Sequence, residues 1–194
     1  MALPTEPGAR HRVVAATFAD RVKGADAIGA WAAPTPVAQW QARDVVRHLI
    51  DWLPGFLGSV AGVDLNRQGP SVDDDPVAAW DAHTAAVQEL LDDPASSRIV
   101  DDPRFGAMPL TALIDRFYTV DVFMHTWDLA RATGQDDRLD ADLCGELVGG
   151  MESMEDMIRA SGQFGSRVPV PADADAQTRL IGFIGRDPAW TSAG

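Results

Sequence analysis

Apolar residues recur at intervals of three and four along most of this 194-residue chain, and strand-like alternation is scarce. That spacing places apolar side chains on one face of an α-helix, whereas a half-buried strand alternates at every second residue. The pattern therefore predicts an all-α fold. Because 46% of the residues are hydrophobic, the chain can build the core of one domain of ordinary size.

Prolines and glycines divide this pattern into separate helices. Five helices are predicted, at residues 9–30, 42–58, 77–91, 109–133 and 141–161. They are expected to form an up-down-type four-helix bundle with an additional C-terminal helix, and Gly134 is predicted to be the C-cap of the fourth helix. Residues 1–165 are expected to be the bundle domain, and residues 166–194 an extended link and a short helix that packs on it.

The net charge of the chain limits the classes of molecule that it can bind. Its 29 acidic and 16 basic residues give a net charge of −13, which repels phosphate backbones and anionic membranes. We therefore expect no nucleic acid and no membrane partner, and the pattern leaves a homodimer open. Cys144 is the single cysteine, so an internal disulfide is excluded, and the absence of a signal-like or membrane-spanning apolar segment agrees with a cytoplasmic protein.

Three polar residues, Asp121, His125 and Asp128, interrupt an otherwise apolar part of the fourth predicted helix. Offsets of four and three place their side chains on consecutive turns of one helix face. Buried polar groups are costly unless they are paired, hydrogen-bonded or bound to a metal, so these residues need a partner elsewhere in the chain. His48, on the apolar stripe of the second helix, is the candidate partner.

Two histidines and a carboxylate from facing helices are a suitable ligand set for one divalent metal. We predict His48, Asp121 and His125 as the ligands, with coordination positions left open as in catalytic sites. Asp128 is predicted to accept a hydrogen bond from a ligating imidazole or from metal-bound water, and Asp44, one turn before His48, is a second candidate for that role. This ligand set also suits ferrous iron, so the spacing does not identify the metal.

Each of these residues also has a purely structural interpretation. His48 alone would be a histidine at the core edge, bonded to a carbonyl group. Asp121 and His125 alone would form an internal ion pair, with Asp128 paired to Arg131 on the helix surface. Because His48, Asp121, His125 and Asp128 occur together in one chain, both structural alternatives are less favoured than a metal site.

The other histidines and the cysteine are weaker candidates. His11 lies in a polar N-terminal turn, and His83 has the solvent-facing company of Asp81 and Thr84. Cys144 has no sequence neighbour that would lower the pKa of its thiol, so we expect an inert small residue rather than a nucleophile.

Three blocks of the chain carry a resemblance to a known family: Trp40–Leu49 (WQARDVVRHL), Asp121–Ala130 (DVFMHTWDLA) and Gly185–Trp190 (GRDPAW). They resemble the actinobacterial branch of the DinB/YfiT-like metalloenzymes, and within it the metal-binding N-terminal domain of mycothiol-dependent maleylpyruvate isomerase. The resemblance covers nearly the whole chain. It implies a DinB-like four-helix bundle that holds a divalent metal at His48, Asp121 and His125, usually zinc, with Fe2+, Ni2+ and Mn2+ as alternatives.

The resemblance also implies chemistry on a low-molecular-weight thiol such as mycothiol, because relatives act as thiol-dependent isomerases or S-transferases. The expected partners are then a small-molecule thiol and an electrophile. The isomerase has glutamate where this chain has Asp121, and it has a second domain that contributes to activity. The resemblance therefore supports the metal site of this chain more strongly than it supports the isomerase reaction. Two other functions stay open: a hydrolase in which the metal activates water with Asp128 as base, and a non-catalytic metal-binding or interaction module.

Overall fold

The computed structural model describes residues 2–65, 68–160 and 162–192, and most of them are helical. The helices are α1 (Pro7–Ala27), α2 (Ala42–Ala61), α3 (Pro76–Asp92), α4 (Leu110–Ile114), α5 (Val120–Thr133), α6 (Ala141–Glu152), α7 (Glu155–Ala160) and α8 (Ala176–Phe183). The all-α expectation is confirmed. Among the described helices, none is both long and apolar enough to cross a membrane.

The long helices begin and end at local signals in the sequence. Asp75 caps α3 by accepting a hydrogen bond from the backbone N–H of Ala78 at 2.9 Å, and a proline opens the first turn of α3. Gly134 ends α5 in the left-handed conformation, with a φ of 66°, as predicted for its C-cap. Such caps satisfy backbone groups that the helix itself leaves without partners.

Four helical segments pack around one core. Helix α1 contacts α3 and α5, and α2 contacts α3 and α5, so the bundle places α2 beside the helix that carries the acidic and histidine motif. The largest side chains of the core are completely or almost completely buried and come from all four segments; they include Phe18, Leu49, Leu53, Trp80 and Trp127. This packing holds α2 and α5 in a fixed relation.

The fourth predicted helix contains a wide turn that the sequence did not indicate. Helices α4 and α5 join through a π-helical turn, Asp115–Thr119, in which the backbone N–H of Val120 bonds to the carbonyl of Asp115. Turns of this type occur mostly as single turns within α-helices and are frequent at functional sites. This one ends at Thr119, two positions before Asp121.

Two other regions differ from expectation. The irregular stretch before α4 contains an antiparallel hairpin of two short strands, β1 (Ile99–Asp102) and β2 (Gly106–Pro109). The fifth predicted helix is divided into α6 and α7, where the Ser153 side chain bonds to the carbonyl of Gly150 at 2.9 Å. Glycine and a serine that bonds to its own backbone both disfavour helix continuation. The predicted end of this helix, residue 161, lies outside the described residues.

The C-terminal part of the chain packs on itself and on the bundle. Helix α8 packs against α6. Beyond α8, the carbonyl of Pro188 accepts a hydrogen bond from Arg131 of α5 at 2.7 Å. The segment Gly185–Trp190 is thereby held close to the end of α5.

Candidate metal centre

His48 of α2 meets Asp121 and His125 of α5 where these two helices pack. Nε2 of His48 lies 3.2 Å from Oδ2 of Asp121, and Nε2 of His125 lies 3.5 Å from Oδ1 of the same carboxylate. One ligand atom from each residue lies within 4.8 Å of the others. The structure thus brings together the three ligand candidates, although His48 is 73 positions before Asp121.

The spacing of these atoms fits one divalent ion. In a tetrahedral zinc site with ligand distances of about 2.0 to 2.1 Å, two ligand atoms are about 3.3 Å apart. The two imidazole nitrogens lie 3.2 and 3.5 Å from the Asp121 carboxylate, each from a different oxygen, and these separations are of the same order. Imidazole nitrogen and carboxylate oxygen are both suitable ligands for zinc and ferrous iron, and three ligands leave at least one position open.

Asp121 is held in its ionised form. Burial raises the pKa of Asp121, but the charge of His125 and the hydrogen bond and charge of His48 outweigh burial and leave the pKa below its usual value. The indole N–H of Trp52 also donates to Oδ2 of Asp121 at 3.0 Å. A carboxylate must be deprotonated to bind a metal, so these contacts prepare Asp121 for that role.

Asp128 lies behind His125 and orients its ring. Oδ2 of Asp128 is 2.8 Å from Nδ1 of His125, and the carboxylate is completely buried. Because a carboxylate accepts hydrogen bonds, Nδ1 of His125 donates to Asp128, and Nε2 is the ring nitrogen that faces Asp121. This is the arrangement in which a buried carboxylate fixes the tautomer and orientation of a metal-binding histidine.

Arg186 stabilises Asp128, and this contact was not predicted from the sequence. Its Nη2 atom lies 3.2 Å from Oδ2 of Asp128, so the guanidinium compensates the buried charge. Arg186 belongs to the Gly185–Trp190 block and is 58 positions from Asp128. Helical spacing does not relate Arg186 to Asp128, so the sequence pointed to Arg186 only through the Gly185–Trp190 block that contains it.

The cluster is closed on one side and open on the other. The Trp40 ring stacks on His125 with centroids 5.7 Å apart and lies 4.9 Å from His48. The side chain of His125 is only 5% exposed, whereas those of His48 and Asp121 are 33% and 20% exposed. A small molecule can therefore approach past His48 and Asp121.

Comparison with known proteins identifies the family of this chain. Residues 11–130 match the family described as the mycothiol maleylpyruvate isomerase N-terminal domain. The chain belongs to this family. The matched region contains His48, Asp121, His125 and Asp128, but Arg186 lies beyond it.

Two relatives of this family member come from Mycobacterium tuberculosis. They are uncharacterised proteins of strains CDC 1551 / Oshkosh and H37Rv, and each is 29% identical to the chain over 155 residues. The aligned region covers 79% of this chain and 83% of each relative. No solved structure is significantly similar to the chain.

The structure corrects the expected surroundings of two histidines in this family member. His11 and His83 are completely buried, not placed in polar or solvent-facing positions. Nδ1 of His11 bonds to the Thr119 hydroxyl at 3.0 Å, and Nε2 of His83 bonds to the Tyr118 hydroxyl at 2.8 Å. Tyr118 and Thr119 are consecutive residues of the π-helical turn, and both point into the core.

The structure also shows that two contacts which the sequence left open near the cluster are not formed. Asp44 does not support His48, because its two oxygens accept hydrogen bonds from the backbone N–H of Gln41 and from Arg47. Asp128 does not pair with Arg131 on the helix surface. Arg131 instead forms an ion pair of 3.1 Å with Asp137. Asp44 is thus used by the N-terminal cap of its own helix and by Arg47 one turn later, whereas Arg131 pairs with a residue of the loop after α5.

Cys144 is not placed for catalysis. The residue is completely buried in α6. Burial, together with the charges of Asp140 and Asp175, raises the pKa of its thiol to about 12. A thiol with such a pKa is protonated at neutral pH and is a poor nucleophile, as the sequence predicted.

Proposed function

We propose that this protein is a metal-dependent enzyme that activates a low-molecular-weight thiol, with mycothiol as the first candidate, and directs it to a small electrophile. The reaction is transfer of the thiol or thiol-assisted isomerisation. The observation that carries the proposal is the cluster of His48, Asp121 and His125, with ligand-like spacing and one exposed side. The description of the matched family, which names mycothiol and an isomerase, supports the same chemistry.

Each residue of the cluster has a part in this proposal. A bound divalent ion would supply positive charge that keeps a coordinated thiol deprotonated near neutral pH. His48, Asp121 and His125 would hold that ion, with zinc as the first candidate. Asp128 orients the His125 ring so that Nε2 faces the site, and Trp40 shields both imidazoles from water on one side. No nucleophile from the protein is needed, in agreement with the burial of Cys144.

The position of Asp128 argues against the hydrolytic alternative. A general base must come within hydrogen-bond reach of the water that it deprotonates. Asp128 is completely buried, and its carboxylate already contacts His125 and Arg186. We therefore interpret Asp128 as a positioning residue and not as a catalytic base.

The first experiment measures the metal content of the tag-free protein by elemental analysis. We expect about one divalent ion per chain, retained in the variant Asp51→Asn and lost in Asp121→Asn. Both variants remove one carboxylate, but Asp51 is exposed on α2 and lies outside the cluster. Equal metal content in the two variants would show that the cluster is not the binding site.

The second experiment tests the chemistry on the metal-loaded protein. We expect it to accelerate conjugation or isomerisation of small electrophiles only when mycothiol or another thiol is present, and a chelator should abolish the effect. Hydrolysis of esters or amides without thiol dependence would contradict the proposal and favour the hydrolase. Absence of both activities in the metal-loaded protein would favour a binding module.

A further inference from the structure

A row of half-buried aromatic rings leads away from the candidate metal centre. It consists of Trp52 and Phe56 of α2, Phe105 of the hairpin turn and Phe117 of the π-helical turn, and we call it the aromatic track. Trp52 and Phe56 have ring centroids 5.5 Å apart, Phe56 and Phe117 5.7 Å, and Phe105 and Phe117 4.6 Å. These rings are in mutual contact, yet each keeps part of its surface exposed.

The track begins at the metal centre itself. The indole of Trp52 donates to Asp121 at 3.0 Å, and its ring centroid is 6.3 Å from that of His48. His48 and Asp121 form the exposed side of the cluster. A molecule lying on the track would therefore have one end beside the open side of the cluster. Exposed apolar surface that adjoins a polar site is typical of ligand-binding regions.

The far end of the track carries a positive charge. The Arg116 guanidinium lies 5.6 Å from the centroid of the Phe117 ring, and the residue is exposed. Within the described residues, Arg116 forms no ion pair, although the chain has a net charge of −13. Arg104 also lies near the track, over Phe105, but its charge is compensated by Asp102 at 2.8 Å. Among the described residues at this end of the track, Arg116 is thus a cation that can receive an anion.

We propose that the aromatic track and Arg116 bind the electrophilic substrate, and that this substrate is an aromatic carboxylate. Its ring would stack on Phe56 and Phe117, its carboxylate would meet the Arg116 guanidinium, and its reactive end would point toward Trp52 and Asp121. Aromatic stacking and a guanidinium–carboxylate pair together select a flat apolar anion. The assignment rests on the proposed thiol chemistry for the role of the ligand, but binding itself requires neither thiol nor metal.

The test is a ligand-observed NMR titration of the protein as purified and after treatment with a chelator. The probes are trans-cinnamate, cinnamyl alcohol, which has the same ring without the charge, and succinate, which has charge without a ring. We expect cinnamate to bind more tightly than either of the other two. In a protein-observed NMR spectrum, cinnamate binding should also shift the indole N–H resonance of Trp52, assigned from its loss in Trp52→Phe.

Two variants separate the contribution of the charge from that of the rings. Arg116→Gln should weaken cinnamate about two- to fivefold, as for an exposed ion pair, and leave cinnamyl alcohol unchanged. Phe117→Leu, which keeps apolar volume, should weaken both ring-containing probes. Lys23→Gln removes an exposed charge from α1 and should have no effect.

The inference is overturned if Arg116→Gln and Lys23→Gln bind cinnamate equally well, or if Phe117→Leu retains its affinity for both ring-containing probes. Circular dichroism of each variant verifies that it is folded. Because the titration does not depend on the metal or on mycothiol, its failure is distinct from a failure of the proposed thiol chemistry. If the protein binds cinnamate but shows no thiol-dependent activity, the proposed subsite stands and the proposed thiol reaction is rejected.

Discussion

At the scale of single residues, Asp121 is the point at which the two histidines of the cluster meet. Each of its oxygens faces one imidazole, and Trp52 donates to one of them. The offset from Asp121 to His125 was readable from the sequence, because four residues make about one helical turn. The contacts of Trp52 and Arg186 were not readable, because they depend on how separate segments pack.

The first prediction concerns the residue behind His125. Asp128→Asn keeps the size of the side chain but removes the charge that fixes the proton on Nδ1 of His125. We expect the affinity for zinc to fall about 10- to 100-fold, measured by competition with a fluorescent chelator. Asp51→Asn is the control. Equal zinc affinity in the two variants would mean that Asp128 has no part in metal binding.

The second prediction follows from the burial of His11. Burial, assisted by the charge of Arg12, lowers the pKa of His11 from 6.5 to about 4. The unfolded chain therefore binds a proton in the pH range from about 6.5 down to 4, where the folded chain does not. Stability is thus lost as the pH falls through this range, by about 2 kcal/mol between pH 7.5 and pH 5.

Urea unfolding at several pH values measures this loss. The variant His11→Gln does not titrate, so its free energy of unfolding should depend less steeply on pH by about the same 2 kcal/mol. Parent and variant with parallel pH profiles would show that His11 is not the group responsible.

At the scale of elements, the helices were predictable where their signals are local. The bounds of α2 and α3 agree with expectation to within about three residues at each end, since prolines, glycines and capping side chains act on adjacent backbone. The π-helical turn was not predictable, because it depends on buried partners from other helices. His11 and His83 were assigned to polar surroundings for the same reason, because their sequence neighbours do not indicate which residues of other helices pack against them.

The third prediction tests the buried contacts of this turn. Tyr118→Phe removes the hydroxyl that lies 2.8 Å from Nε2 of His83 in the core. We expect a loss of about 1 to 3 kcal/mol in the free energy of unfolding, because a buried hydrogen bond loses one partner. Thr17→Val is the control, since the Thr17 hydroxyl is exposed and bonds only within its own helix. Equal stability of the two variants would contradict the prediction.

At the scale of the whole molecule, the candidate metal joins helices that are distant in sequence. An ion held by His48 and His125 would connect α2 to α5 and would bind only when the bundle is folded. Ligands that bind the folded state alone stabilise it, by about 2.7 kcal/mol at a concentration 100 times the Kd. The bound ion would in this way stabilise the same folded bundle that brings its ligands together.

The fourth prediction is that zinc raises the melting temperature of the chelator-treated protein. For a chain of this size, a gain of about 2.7 kcal/mol corresponds to roughly 5 to 10 °C. Differential scanning calorimetry should show the increase in the parent and in Asp51→Asn, but not in Asp121→Asn. Identical melting curves of the parent with and without zinc would count against the site.

The contact between Arg186 and Asp128 has a consequence for biosynthesis. Chains emerge from the ribosome N-terminus first, and their domains begin to fold during synthesis. His48, Asp121 and His125 are therefore all translated before Arg186, and until that arginine docks, the carboxylate behind His125 lacks its compensating charge. A nascent chain can present all three ligands without the support that sets their geometry, so productive metal loading belongs to the period after Arg186 has been translated.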